Sequence, residues 1–287
     1  AIIPKELDNQ ICSTGFAVIK SKRTNPWFLF AYLKTEYAIN QLVRATMASM
    51  YPAVSEDDIG AILIPTPPVS LQEKIALYVK EAYQKRQEAD RKYKEAGKLF
   101  NKIFGIDILI FDKEKNFEAK FNEIETSLRF DAEHYQPKYK KVKEFISALG
   151  YKVTKLKELI TISNKKINPL QEPTKYFIYI EFANINPTTG EIEDASKIIG
   201  YDAPSRARML VKTGDILVAS LSGSLENVGL VSDEFDGAVA STGFFVIRSD
   251  VFLPGFLFLM FNSNIIRLQL EEKISGAIMS AVPKTTF

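Results

Sequence analysis

Cysteine and histidine occur once each in 287 residues, and each scarcity removes a class of chemistry. With Cys12 alone no internal disulfide can form, which fits a reducing compartment. A lone His134 cannot build the multi-ligand sites of most zinc proteins or serve most histidine-based hydrolases, so neither metal nor cofactor is expected. No apolar run approaches the roughly 20 residues that a membrane helix requires, and no signal-peptide pattern is visible. The chain therefore reads as cytoplasmic, without a membrane partner. An excess of one charge sign is also missing. The net charge is +2, which neither demands nor forbids a polyanion, because a basic face matters more than the total. Against these absences stand 46% hydrophobic and 25% charged residues, enough for soluble domains with ordinary cores.

The most informative positive feature is an internal repeat. Residues 1 to 58 return without a gap 228 positions later. Ser13, Thr14, Gly15, Phe16, Val18 and Ile19 match Ser241, Thr242, Gly243, Phe244, Val246 and Ile247, and Pro26, Phe28, Leu29 and Phe30 match Pro254, Phe256, Leu257 and Phe258. A period this long means a whole domain present twice, not stacked small repeats of about 20 to 50 residues. Cys12 aligns with Ala240, so a small buried packing residue is expected there. The chain opens without Met, in mid-copy, and reads as a piece of a longer tandem protein.

After the turn at Pro65, Pro67 and Pro68, Ser70 and Glu73 have the spacing of a capping box, predicting a helix from Ser70 to Phe104 with Gly105 as its left-handed stop. Along it Ile75, Ala82, Ala89, Ala96 and Ile103 recur every seven residues, a coiled-coil seam. The small alanines, with Gly97 beside them, predict the close approach of a neighbouring backbone. The Lys, Arg and Glu on the other faces read as a solvated surface. A short apolar run, Ile106 to Phe111, and a charged connector, Asp112 to Glu125, follow. Pro137 opens a further helix that ends at Gly150. Beyond it, Tyr176 to Ile180, Ile216 to Ala219 and Gly243 to Ile247 are β-branched and aromatic runs between turn-rich segments, and a last helix is expected from Pro254 to about Ile274. The fold class is α+β, with small mixed or antiparallel sheets joined by the long helix.

The STGF strand, the P-x-F-L-F helix, IGAILIPTPPVSLQEKIA leading into the long charged helix, and FDAEHYQPKY opening the next module together resemble HsdS, the DNA specificity subunit of type I restriction-modification systems. The resemblance covers nearly the whole chain. It implies the second half of one target recognition domain (1–64), a spacer helix with a short strand (65–113), a connector (114–126) and a second target recognition domain lacking its closing helix (127–287). It also implies an antiparallel coiled-coil ruler holding two readers on a split site in double-stranded DNA. DNA methylation and endonuclease cleavage would lie on partner subunits, the methyltransferase (HsdM) and endonuclease (HsdR) of the complex. The chain itself would not be an enzyme. Two readings compete with this one: the tail of a fused restriction-methyltransferase, and a protein-interaction scaffold.

Sequence readers combine phosphate donors with side chains that address base edges. Asn164, Lys165 and Lys166 in SNKKINP, Arg206 and Arg208 in YDAPSRARM, and Ser220, Ser222, Ser224 and Asn227 in the serine loop are the candidate DNA contacts. Lys20, Lys22 and Arg23 follow the first STGF segment and join them, with Lys284 a weaker candidate. His134 and Tyr135 read as structural. Thr66-Pro67-Pro68-Val69 lacks the amide or carboxylate and the stacking aromatic of an adenine methyltransferase, and Asp112 with Glu118 and Lys120 is a chance likeness to a nuclease metal site.

Overall fold

The computed structural model describes residues 2–3, 7–47, 53–106, 113–275 and 280–283. The chain divides into two compact units, Ala1–Lys92 and Tyr93–Phe287.

In the first unit, α1 (Pro26–Leu33), α2 (Glu36–Ala45) and α3 (Glu56–Gly60) precede α4 (Val69–Phe104). Asn25 caps α1 and Thr35 caps α2, each accepting an N–H bond from the first turn. Among the described residues of this unit only Phe28, Ala38, Gln72 and Ala76 are buried, and Trp27 meets Tyr83 edge to face with centroids 5.4 Å apart. α4 runs 36 residues without a break. It begins one residue before the expected Ser70. The Pro68 carbonyl accepts from Leu71 and Gln72, so Ser70 lies within the first turn and is not the cap. Gly105 does take the left-handed conformation, with φ +64°.

The predicted seam is only partly covered. Ala82 and Ala89 are exposed, Ile75 and Ala96 half-buried, and Ile103 is exposed, while α4 packs instead through Gln72 and Ala76 in the first unit and Phe100 in the second. A Cβ added at Gly97 would meet nothing within 4 Å, so the expected neighbouring backbone is not there among the described residues. Gly97→Ala should accordingly stabilise the chain by about 1 kcal/mol in thermal unfolding, the helix-propensity difference. A loss of stability would show that a backbone does pass at that point.

The second unit holds the remaining turns of α4, then α5 (Phe121–Ser127) and α6 (Pro137–Ala148). Pro137 occupies the first turn of α6, as predicted, and Gly150 has φ +73°. α5 was not expected. It forms inside the charged connector, where the Glu123 carboxylate accepts the Lys120 N–H at 3.0 Å. Of the predicted strand-like run Ile106 to Phe111 all but Ile106 lies outside the described residues, as do Asp112 and Lys284.

Among the described residues eight strands follow: β1 (Thr161–Ile162), β2 (Tyr176–Ile180), β3 (Ser196–Ile199), β4 (Ala207–Leu210), β5 (Ile216–Ala219), β6 (Val228–Leu230), β7 (Val239–Ser241) and β8 (Phe244–Arg248). They form two four-stranded sheets, β3-β2-β7-β4 and β1-β8-β5-β6, antiparallel except where β2 meets β7. The continuous apolar runs of β5 and β8 reflect burial on both faces. Leu217, Ala219, Phe244 and Val246 join one core with Ile180, Met209 and Ala240, while Ile216, Val218, Phe245 and Ile247 join another with Leu257, Phe258 and Phe261. The last predicted helix is in fact two, α7 (Pro254–Asn262) and α8 (Asn264–Lys273), separated by Ser263.

The repeat is visible in hydrogen bonds. Thr35 Oγ1 donates to Tyr32 O at 2.7 Å and accepts from Ala38 N–H at 3.5 Å. Its counterpart Ser263 Oγ donates to Met260 O at 2.6 Å and accepts from Ile266 N–H at 3.4 Å. Gly15 N–H donates to Ser13 Oγ and Gly243 N–H to Ser241 Oγ, both at 3.3 Å. The bridge Met47↔Ala53 returns as Ser275↔Ala281.

Long-range burial is not repeated. Phe16, Val18 and Ile19 are 72%, 68% and 50% exposed, whereas Phe244, Val246 and Ile247 are fully buried. Cys12 is exposed while Ala240 is buried, which overturns the packing role expected for the cysteine. Ser249 Oγ reaches Leu159 O at 2.6 Å, but its counterpart Ser21 Oγ turns back onto Thr24 O. The local code folds in both copies, and the sheet closes in the second.

Candidate nucleic-acid interface

The turn joining β7 to β8, Ser241-Thr242-Gly243, is held from both sides. Thr242 N–H donates to Arg206 O at 2.9 Å, and Gly243 O accepts both the Ser220 N–H at 2.9 Å and the Ser220 hydroxyl at 2.7 Å. A side chain at Gly243 would place its Cβ 2.5 Å from the Phe182 ring, so close approach demands glycine here. On the far edge of β4, Ile167 N–H donates to Arg208 O at 2.9 Å and Leu210 N–H to Lys165 O at 3.0 Å. The lysine loop thus lies along β4, β4 leads into the turn, and the turn leads into the serine loop. Three segments far apart in sequence become neighbours.

Asn164, Lys165, Lys166 and Arg206 are exposed, and Arg208 is half-buried with an Nη1–H bond to Ala207 O at 3.0 Å. No acidic residue lies in 163–169, and in YDAPSRARM the one acid is Asp202, four positions before Arg206. Ser222 is exposed, and Ser224 and Asn227 are half-buried. Ser220 is different. It is buried, its hydroxyl is committed to Gly243 O, and it holds the turn without facing solvent.

Lys20, Lys22 and Arg23 are exposed in the first unit. Their counterparts are Arg248, Asp250 and Val251. Arg248 closes a two-pronged ion pair on Asp215, Nε to Oδ1 at 2.5 Å and Nη2 to Oδ2 at 2.7 Å, with the Asp215 side chain 2% exposed. The hydrogen bond that Arg248 donates to Asp215 raises the Arg248 pKa further still. Lys20 therefore occupies the position of a structural cation.

The FDAEHY segment is structural, as expected for His134 and Tyr135. The Arg129 Nη atoms donate to Glu272 O at 3.4 Å and Ile274 O at 2.6 Å, and His134 Nδ1 lies 2.9 Å from Glu272 O. Two side chains thus close the last carbonyls of α8, where cations are favoured by the helix dipole. A hydrogen bond from the Arg129 guanidinium, whose Nε lies 2.8 Å from Asp131 Oδ1, holds the Asp131 carboxyl below its ordinary range. Sequence reasoning missed Arg129, although its place just before FDAEHY was a usable signal. It also missed Tyr176, which is 60% exposed on β2 with Lys197 Nζ 4.8 Å from its ring centre. A cleft of about 690 Å³ opens between Arg129, the serine loop and α8, and its lining mixes Arg129 and Arg267 with Asp131, Glu226 and Glu271.

No family model matches the sequence, and no curated protein does. Among solved structures, a chain from work on the complex assembly and conformational transition of the type I restriction-modification system is 33% identical, with TM-score 0.44. The match covers 47% of this chain and 37% of that one. The HsdS subunit from Thermoanaerobacter tengcongensis is 34% identical with TM-score 0.43, again over 47% of this chain and 37% of the other. The matched stretch spans little more than a third of either structure, and over it this chain is similar to an HsdS subunit.

Proposed function

We propose that the module at 127–287 reads duplex DNA, and that the chain acts as the non-catalytic specificity component of a type I restriction-modification complex. Methylation and cleavage then reside on partner methyltransferase and endonuclease subunits. One observation carries the reading: backbone hydrogen bonds bring the segments of Lys165, Lys166, Arg206 and Arg208 together along one strand edge and turn, with Asp202 the one acid in the two basic segments. Exposed cations beside an exposed amide, Asn164, combine phosphate positioning with base-edge readout. Residues 1–64 form a second module of the same descent, 65–113 the spacer and 114–126 the connector. The exposed Ala82 and Ala89 on α4 leave the seam open to a second spacer helix, whose length in register with α4 sets the separation of the half-sites. Selection from a pool of randomised duplexes tests the reading. Enrichment of a short defined motif is expected, and equal retention of all sequences would contradict it.

A further inference from the structure

The serine loop is shaped by its own turns and then held from outside. Within it, Ser224 N–H donates to Leu221 O at 3.1 Å and Asn227 N–H to Ser224 O at 2.9 Å, while Gly223 has φ +78° and open space where a Cβ would be. From outside, Ser222 N–H donates to Ser280 O and Val282 N–H to Ser220 O, both at 2.8 Å, which makes an antiparallel bridge centred on Leu221 and Ala281. Buried Val282 anchors one end of that bridge in the core. At the other end Ala281 exchanges two backbone bonds with Ser275, each at 3.0 Å. One residue before Ser275 is Ile274, whose carbonyl accepts from Arg129 Nη2 at 2.6 Å.

Arg129 is itself fixed before it reaches α8. The left-handed Leu128, with φ +53°, turns the chain, the Tyr135 hydroxyl donates to Arg129 O at 2.5 Å, and Arg129 Nε donates to Asp131 Oδ1 at 2.8 Å. Arg129 and Ser222 line the same cleft of about 690 Å³ from different sides, together with Ser275 and Ser280. The connection between them therefore runs through the chain, from Ile274 to Ser275, across to Ala281, and from Ser280 to the loop.

We propose that Arg129 is a positioning residue for sequence discrimination: by holding Ile274, and through it the Ser275–Ala281 pair, it sets where Ser222, Ser224 and Asn227 present their polar groups to DNA. This role rests on the DNA reading given above. The loop offers neutral hydroxyls and an amide, so its placement governs which duplex is preferred, whereas counterion release belongs to the four cations.

Arg129→Gln in the intact chain takes the guanidinium away from both α8 carbonyls. Hydrogen exchange without DNA should then show the Ser222 amide losing at least about tenfold more protection than Val246, the effect of removing bonds from a charged donor. Affinity for the motif selected from the duplex pool should fall about tenfold, a change the size of one mismatched base pair. The salt slope and the affinity for unrelated duplex should hold. Arg129→Lys, a milder change that keeps a charged donor, should fall between the parent and Arg129→Gln in both measurements. An unmoved Ser222 amide would overturn the positioning role, and so would equal losses at Ser222 and Val246, the mark of general destabilisation. A parent chain with no preferred motif would overturn the DNA reading and this role with it. If the parent and Arg129→Gln discriminate equally, the role of Arg129 alone is overturned.

Discussion

Arg248→Ala should lower the stability of the second unit by about 3 kcal/mol, the low end of the cost of leaving a buried charge without its partner. The Asp215 side chain is 2% exposed, and after the substitution its carboxylate keeps only the Lys212 N–H, at 2.8 Å. The low end applies because the Arg248 side chain is 33% exposed, so water reaches part of the space it vacates. For a unit of this size the loss corresponds to a fall in Tm of about 6–12 °C by calorimetry. Arg248→Lys restores the charge but not the two-pronged geometry, and should recover part of the loss. Changing Asp215 to Leu and Arg248 to Met together should cost less than Arg248→Ala alone, because no charge is then stranded. An Arg248→Ala variant that melts with the parent would show that the pair contributes nothing.

The second large effect is on DNA. Replacing Lys165, Lys166, Arg206 and Arg208 together by Ala should weaken duplex binding by at least about 100-fold near 0.1 M salt. The slope of log K against log salt should shrink by about 3.6 if all four contact phosphates, since each phosphate contact contributes close to 0.9 to it. Folding should survive. The hydrogen bonds that join these segments run through backbone atoms, and only the Arg208 side chain makes a local bond, to Ala207 O. Replacing Lys20, Lys22 and Arg23 should have a much smaller effect, because Lys20 stands where Arg248 is spent on an ion pair. Fluorescence anisotropy with a labelled duplex reads both variants. An unchanged slope for the fourfold variant would remove this surface from the interface.

The legible parts of the fold were those written in local pattern. The proline turn, the Ser70/Glu73 spacing and Gly105 placed α4 to within a residue, and the apolar runs of β2, β5 and β8 were plain because both faces of those strands are buried or nearly so. Local hydroxyl caps were readable in principle. Ser263 and Thr35 break their helices in both copies, yet the periodicity of the apolar residues runs through them and concealed the break. Side-chain fate depended on tertiary neighbours that no single loop encodes. Ser220 reads like Ser222, but one is fixed beneath the turn and the other is exposed. Cys12 aligns with a buried alanine, yet is exposed, since among the described residues its unit forms none of the strands that flank Ala240. The convergence of the lysine and arginine segments was equally invisible, since it arises from long-range pairing along β4.

Native-state hydrogen exchange on residues 1–287 tests most directly the claim that one module is present twice and, within these residues, closed only once. In a single sample of the intact chain, the amides of Phe245, Val246 and Ile247 should exchange with protection near that of global unfolding, while those of Ala17, Val18 and Ile19 exchange within a few-fold of the unprotected rate. Matching protection in the two copies would contradict the account.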